Sequence, residues 1–548
     1  MSNSPTQKPA RQQVFLPDAP PPSSPTRPGS PILIGSDSEG SLIAESDAHI
    51  WTGEELINRR TSFAQPLATT RRLTGCDVGQ VTSIDTLPDD VLLEIFDFHG
   101  YYYDDQFGSR REQAWRTLVH VCRRWRCIVF GSPRHLNLQL VCTTRRPVRD
   151  MLDVWPVLPL IVMSDGWSDS YVPRGKRDSI IAALECTDRV YHMDICIAQS
   201  LDLDIFLAMQ QPFPELRHLE LRSDNGTVAV VPDSFLGGSA PRLQYLKLYR
   251  IPYPGLPNLL LTATHLVILK IHGIPHSGYI SPDAMVAALS TLASLEHLSL
   301  EFESPRSCPD QASRRPPPSI CSVLPVLTHF RFKGVAEYLK DLVACIDAPQ
   351  LNRLYIIFSH DIVFDTPQLV RFISHTPKSK AFQKAYITLD NYASVGFSSQ
   401  TSPYREFTVT ILCKGLDWQV SSLEQVCTSC LPPLSMLEDL YFIKGRDIYA
   451  QPDWEYGIEN GQWLELFRSF MPVKNLYLSE KFASLIAPAL RELVEGRVTE
   501  VLPALQNIFL KGLEPSRSVQ ESIGQFVAAR QVTNHPIRIS PWTGLVGG

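Results

Sequence analysis

The chain has 548 residues, of which 44% are apolar and 20% charged, with a net charge of -6 and a pI near 6.2. That length allows several domains or one long repeat array, and the acidic balance argues against a general nucleic-acid or anionic-membrane binder. No apolar run of about 18 residues occurs, so no membrane span is expected, and the polar start "MSNSPTQKPARQQVF" argues against secretion. The 12 cysteines are scattered, which fits reduced thiols in a cytoplasmic or nuclear protein.

Residues 1–80 are rich in Pro, Ser and Thr, as in "PDAPPPSSPTRPGSP". Such a leader buries too little apolar surface to offset its ordering entropy, so disorder is expected. Within it, Ile32, Leu33 and Ile34 precede Asp37 and Glu39. An extended apolar triplet beside acids can add a strand to a partner's sheet edge. The stretch resembles a motif that docks small ubiquitin-like modifiers, and a solvated linker is the competing reading.

"TLPDDVLLEIF", residues 86–96, is expected to start a helix. Thr86 and Asp89 fit a capping pair, and Pro88 sits near the first turn, where its missing N–H costs nothing. Val91, Leu92, Ile95 and Phe96 fall at helical spacing. A loop from Gly100 to Glu112 is expected next, then a second amphipathic run. There Ala114, Leu118, Val121, Trp125 and Ile128 form one stripe, widened by Val119, Cys122 and Val129. Two such helices carry more apolar face than they bury against each other, which implies a partner.

"LPDDVLLEIF" followed by "VCRRWR" resembles an F-box, the helical module by which substrate receptors of SCF-type ubiquitin ligases hold the Skp adaptor. The resemblance covers residues 83–140. It implies that Leu87, Pro88, Val91, Leu92, Ile95, Phe96, Leu118, Val121 and Cys122 contact the adaptor, with Trp125 packed within the module. A plain helical hairpin is one alternative. Another is phosphate binding by Arg116, Arg123, Arg124 and Arg126, although these lie opposite the apolar stripe, where a solvated face is expected.

Residues 141–185 read as a linker and a first irregular repeat. From 186 to 514 a six-residue pattern recurs: apolar, two free, apolar, one free, apolar. It reads "LRHLEL" from Leu216, "LQYLKL" from Leu243, "LVILKI" from Leu266, "LEHLSL" from Leu295, "LTHFRF" from Leu327 and "LNRLYI" from Leu351. It returns as "LEDLYF" from Leu437, "VKNLYL" from Val473 and "LQNIFL" from Leu505, with weaker copies from Val190 and Phe382 and a degenerate strand near Phe407. The spacing fits leucine-rich repeats, each giving one strand and a helical or irregular return. The expected fold is α/β: a helical F-box, then an irregular leucine-rich-repeat solenoid of parallel strands. "SVQESIGQFVAARQ" and "HPIRIS", within residues 515–548, are expected to cap its last edge. The chain resembles fungal F-box proteins, which join the same two parts.

Side chains alternate along a strand, so the fifth pattern position points away from the core. Down the stack it runs Asp194, Glu220, Lys247, Lys270, Ser299, Arg331, Tyr355, Tyr386, Tyr441, Tyr477 and Phe509. The expected client surface is this row's aromatic half, with Lys247, Lys270 and Arg331 steering an acidic or phosphorylated segment. Aromatic preference for strands is the plainer account. His192, His218, His297 and His329 recur at the third position. Cys427 and Cys430 form a lone "CTSC", too few ligands for zinc. With no phosphate loop, zinc-protease helix or nucleophile elbow in the sequence, no catalytic role and no cofactor is expected. The expected function is substrate recognition in an SCF-type ligase, with the Skp adaptor, the cullin scaffold and an unknown client as partners. The alternative is an interaction scaffold without a ubiquitination role.

Overall fold

Leucines at the first pattern position each close a tight turn. The amide of Leu243 donates to Ala240, Leu266 to Ala263, Leu327 to Leu324, Leu351 to Ala348, Leu437 to Leu434 and Leu505 to Leu502. Each turn delivers the chain into a strand whose fourth and sixth pattern residues point inward, as with the buried pairs Leu219 and Leu221, Leu246 and Leu248, and Phe330 and Phe332. The computed structural model describes residues 84–102, 109–143, 147–164, 174–197, 203–223, 230–304, 322–359, 367–376, 382–402, 404–413, 415–429, 431, 434–444, 459–494, 497–511 and 517–542. The leader, with Ile32, Leu33, Ile34, Asp37 and Glu39, and Cys430 lie outside them.

Three helices open the described chain: α1 (Asp89–Tyr102), α2 (Ser109–Val119) and α3 (Arg123–Gly131). Strands then follow as β1 (Leu140–Thr143), β2 (Leu160–Met163), β3 (Val190–Ile197), β4 (His218–Ser223), β5 (Tyr245–Tyr249), β6 (Ile268–Ile274) and β7 (His297–Phe302). Next come β8 (Ser322–Val323), β9 (His329–Gly334), β10 (Ile346–Asp347), β11 (Arg353–Phe358), β12 (Lys384–Leu389), β13 (Ala393–Ser398) and β14 (Phe407–Ile411). The series ends with β15 (Asp439–Lys444), β16 (Asn475–Ser479), β17 (Asn507–Lys511) and β18 (Arg538–Pro541). Among the described residues, 16 strands form one sheet, with β8 and β10 paired separately. The protein is thus α/β, with a large, mostly parallel sheet.

Four features differ from the sequence expectation. First, α1 runs on through Tyr102 and α2 begins at Ser109, so helix occupies part of the expected Gly100–Glu112 loop. The second amphipathic run breaks between His120 and Cys122, where the Cys122 sulfur accepts the amide of Trp125 at 3.5 Å and caps α3. Val121 therefore leaves the stripe it shared with Leu118 and Ile128. Second, β1 and β2 already belong to the sheet, so the region read as a linker and a first irregular repeat supplies two strands, starting at Leu140.

Third, the strands are not added singly throughout. After β11 the sheet order is β14, β13, β12, then β15. The chain crosses to β12, turns at residues 390–392 where the amide of Asp390 donates to Tyr392, and zigzags back through β13, which pairs antiparallel on both sides. The copies at Phe382 and Phe407 are thus the outer arms of a meander.

Fourth, the C-terminal helix (Arg517–Val532) buries Val519, Ile523, Phe526 and Arg530, but the following β18 extends the sheet by one more strand, and three of its four residues are exposed. Arg530 is fully buried. Its guanidinium donates to the carbonyls of Val498 (3.2 Å), Leu502 (3.3 Å), Pro503 (3.0 Å) and Leu505 (3.3 Å), fastening the helix to the turn that leads into β17. Burial lowers its pKa. Arg530→Leu keeps the bulk but strips the donors, at about 1–3 kcal/mol for each carbonyl left unpaired. Hydrogen exchange should show β17 losing protection while β1 keeps it; equal protection in β17 would refute the fastening role.

Candidate functional site

The first candidate surface is the start of α1. Arg124 on α3 reaches back to it, donating to the Leu87 carbonyl (2.5 Å) and to Asp89 (2.9 Å). This clamp brings the turn carrying Val121 and Cys122 to the N-terminal end of α1. Two apolar stripes then run along that helix. Leu92 and Phe96 face inward, are buried, and Phe96 packs on Trp125 with ring centroids 4.8 Å apart. Leu118 is likewise buried. These three residues, expected at a partner, belong instead to the chain's own core, because α2 and α3 close over that stripe. Leu87 is half-buried against the same core.

The outward stripe is Pro88, Val91, Ile95 and Phe98, at the helical spacing i, i+3, i+7, i+10. Val91 is 40%, Ile95 42% and Phe98 69% exposed, and Val121 55%. Cys122 is partly exposed. Phe98 was passed over in the sequence although it continues this spacing. Three of the four arginines considered for phosphate binding are engaged internally. Arg124 forms the clamp, Arg126 donates to the Val119 carbonyl at 3.0 Å, and Arg116 pairs with buried Glu112 at 3.1 Å while lying over Trp155.

The second candidate surface is the sheet face turned away from the buried side chains. At its N-terminal end, cations and anions on neighbouring strands neutralise one another. Arg222 meets Asp194 (2.7 Å) and Glu220 (3.3 Å), and Lys247 meets Glu220 (3.1 Å). Further along, Arg331 pairs with Glu301 and lies over Tyr355, while the Lys270 ammonium lies 5.9 Å from the Tyr245 ring. Lys247 and Arg331 are therefore already paired, because Glu220 and Glu301 reach them across adjacent strands.

The aromatic row is interrupted where the meander enters. Tyr355 sits beside Thr408, then comes Gly396, and only then Tyr386. Arg405 fills this gap. Its side chain lies over Gly396, where a Cβ would meet its Cδ at 2.7 Å, and its guanidinium sits 5.3 Å from the Tyr386 ring. Beyond this point four rings stack face to face. Tyr386–Tyr441, Tyr441–Tyr477 and Tyr477–Phe509 have centroid separations of 4.9, 4.1 and 4.5 Å and interplanar angles of 15°, 11° and 8°. Parallel pairing of β12, β15, β16 and β17 in register produces this column. Beneath it, Asn507 donates to Asn475 and Asn475 to Asp439, each at 2.7 Å. Burial raises the Asp439 carboxyl's pKa, and burial followed by that carboxyl's charge raises the Tyr441 phenol's. Sequence reading missed Arg405, which lies outside the six-residue pattern, and Trp542, which packs on Tyr441 and Tyr477.

The third-position histidines do line up. His192, His218 and Tyr245 stack at 4.0 Å intervals, and His297 stacks on His329 at 4.1 Å. Among the described residues, no three His, Cys, Asp or Glu side chains gather to hold a metal, and no helix is long and apolar enough to cross a membrane. No protein-family model matches the chain, and no curated protein matches it.

Burial lowers the His192 pKa from 6.5 to about 4. Burial, then His192 and Lys247, lowers that of His218 to about 3. The unfolded chain therefore takes up protons first as the pH falls. Stability that is full above pH 6.5 is lost progressively as the pH drops toward those lower values. Replacing both imidazoles with phenylalanine keeps the ring stack and removes this titration. Urea midpoints compared at about pH 7 and about pH 5 should then differ less in the variant than in the parent. An equal drop in both proteins would reject the assignment.

Proposed function

We propose that this chain is the substrate-recognition subunit of an SCF-type ubiquitin ligase, joining an F-box to an irregular leucine-rich-repeat solenoid. The observation that carries the adaptor half is the outward stripe of α1. Val91, Ile95 and Phe98 stay exposed on a helix whose neighbouring stripe is already buried. Covering such side chains contributes on the order of 1 kcal/mol each. The Skp adaptor would take Pro88, Val91, Ile95 and Phe98, with Val121 and Cys122 at the clamped end. Leu92, Phe96 and Leu118 would hold the helix in place rather than touch the partner.

The client half rests on the ring column from Tyr386 to Phe509. Tyr and Arg anchor interfaces well because they bury large area with few rotatable bonds and keep a polar tip. Arg405 at one end, with Lys384 and Lys511 on the column's own strands and Arg538 on the adjoining β18, gives this part of the sheet cations at its margin around the carboxyl of Asp439. That margin supports an anionic client segment, in place of the paired Lys247 and Arg331. The chain would then perform no chemistry. It would hold client lysines near a charged conjugating enzyme carried by the cullin, raising their effective concentration.

Val91→Asp with Ile95→Asp places two charges where the adaptor would bury apolar surface. Calorimetry should show adaptor affinity falling by about a hundredfold, or about 3 kcal/mol, with circular dichroism unchanged. Unchanged affinity removes the F-box reading. Tyr441→Ala with Tyr477→Ala should abolish client ubiquitination in a reconstituted assay while adaptor and cullin still co-purify. Full ubiquitination by that variant would remove the ring column as the client site. Cullin co-purification with no client ubiquitinated even by the parent chain would favour a scaffold role.

A further inference from the structure

Trp542 is the last described residue of the chain, and it sits on the two rings assigned to the client. Its ring centroid lies 5.9 Å from that of Tyr441 and 5.7 Å from that of Tyr477, inclined at 55° and 66°. The tyrosines face one another, so their edges point outward, and ring edges are the electropositive part of the quadrupole. The inclined indole packs beside them in the edge-to-face range of ring geometry. The Lys511 ammonium lies 5.4 Å from the same indole. Three side chains thus hold one tryptophan.

The strand that delivers it is held far less. Among the described residues β18 pairs with β17 alone, through four residues of which Arg538, Ile539 and Pro541 are exposed. The amide of Arg538 donates to Gln506 and that of Trp542 to Leu510. Any extended backbone can make these bonds, so sequence preference resides in the indole and in Ile537, buried just before the strand.

We infer that β17 and the ring column together form a docking slot for an extended segment presenting an indole, and that the chain's own Arg538–Trp542 occupies this slot in place of a client. The inference rests on the client reading above and names the chemistry that reading leaves open. A client segment would displace the tail, add to the edge of β17 so vacated by the same backbone bonds, and set its own tryptophan on Tyr441 and Tyr477. Tail and client are mutually exclusive occupants.

The test uses the whole chain with a specific-protease site inserted between Thr533 and Asn534, so that folding precedes cutting. After cleavage, the freed fragment is exchanged for a fluorescein-labelled synthetic copy of residues 534–548. The copy should bind saturably, and a copy with Trp542→Ala at least tenfold more weakly. Tyr477→Ala in the body should cause a similar loss, and Lys511→Ala, at an exposed position, a smaller one. An unrelated extended peptide containing Ser-Pro-Trp should compete. Hydrogen exchange across β15 to β17 checks that the cut and substituted bodies keep their fold. Equal binding by the alanine copy, or a fragment that never exchanges after cutting, overturns the inference. Neither readout involves the adaptor or ubiquitin. Intact indole binding without client ubiquitination therefore counts against the ligase reading alone.

Discussion

Each strand of this protein is completed by the next. Two inward side chains per strand and a row of backbone donors and acceptors find their partners only on the neighbouring strand and its return segment. The recurring turn at the first pattern position helps, because it brings β4 to β7, β9, β11 and β15 to β17 into the sheet at the same height. Register then follows without further instruction. His218 meets Tyr245, Glu220 meets Lys247, and Tyr441 meets Tyr477 because the backbone ladder leaves no other choice.

That rule explains both kinds of surface on the opposite face. Where the chain places unlike charges at the same height, they neutralise across strands, as between Glu220 and Lys247. Where it places rings, they stack. The meander at β12 to β14 separates the charge pairs from the four-ring column, while imidazoles stack on the forward strands as well. It inserts Thr408 and Gly396 between Tyr355 and Tyr386, and Arg405 lies across the gap. A Cβ at 396 would meet the arginine side chain, so any residue larger than glycine there displaces Arg405.

Much of this was legible in the sequence because burial alternates. The fourth and sixth pattern positions were assigned to the core from spacing alone, and the structure buries them except at Leu510 in the last repeat, which is half-buried. Strand direction was not legible, because alternation is the same whichever way a strand runs. The copies at Phe382 and Phe407 satisfy the pattern equally well as arms of a meander. Asp390 and Asn391, a turn-forming pair between two apolar runs, were the available sign. On α1, Val91 and Leu92 obey helical spacing equally, and only the placement of α2 and α3 decides which stripe is sealed. The pairing of Arg331 escaped notice because Glu301 lies one residue beyond the six-residue pattern. Trp542 was missed because nothing in its local sequence ties it to Tyr477 and Tyr441, two and three strands earlier.

The unequal ends of the sheet give unravelling a direction. At the front, Trp115 donates its indole N–H to the Gln139 carbonyl just before β1, and its ring packs on Trp155. Among the described residues the rear strand itself is held by one neighbouring strand, the indole of Trp542 and the buried Ile537 before it. Thermal fraying or a mechanical pull on both termini would peel the molecule from the back, one rung at a time, until the antiparallel meander is reached. There the peeling changes character, because three strands must yield together. The meander would act as a firebreak, leaving the forward part folded after the rear has come undone.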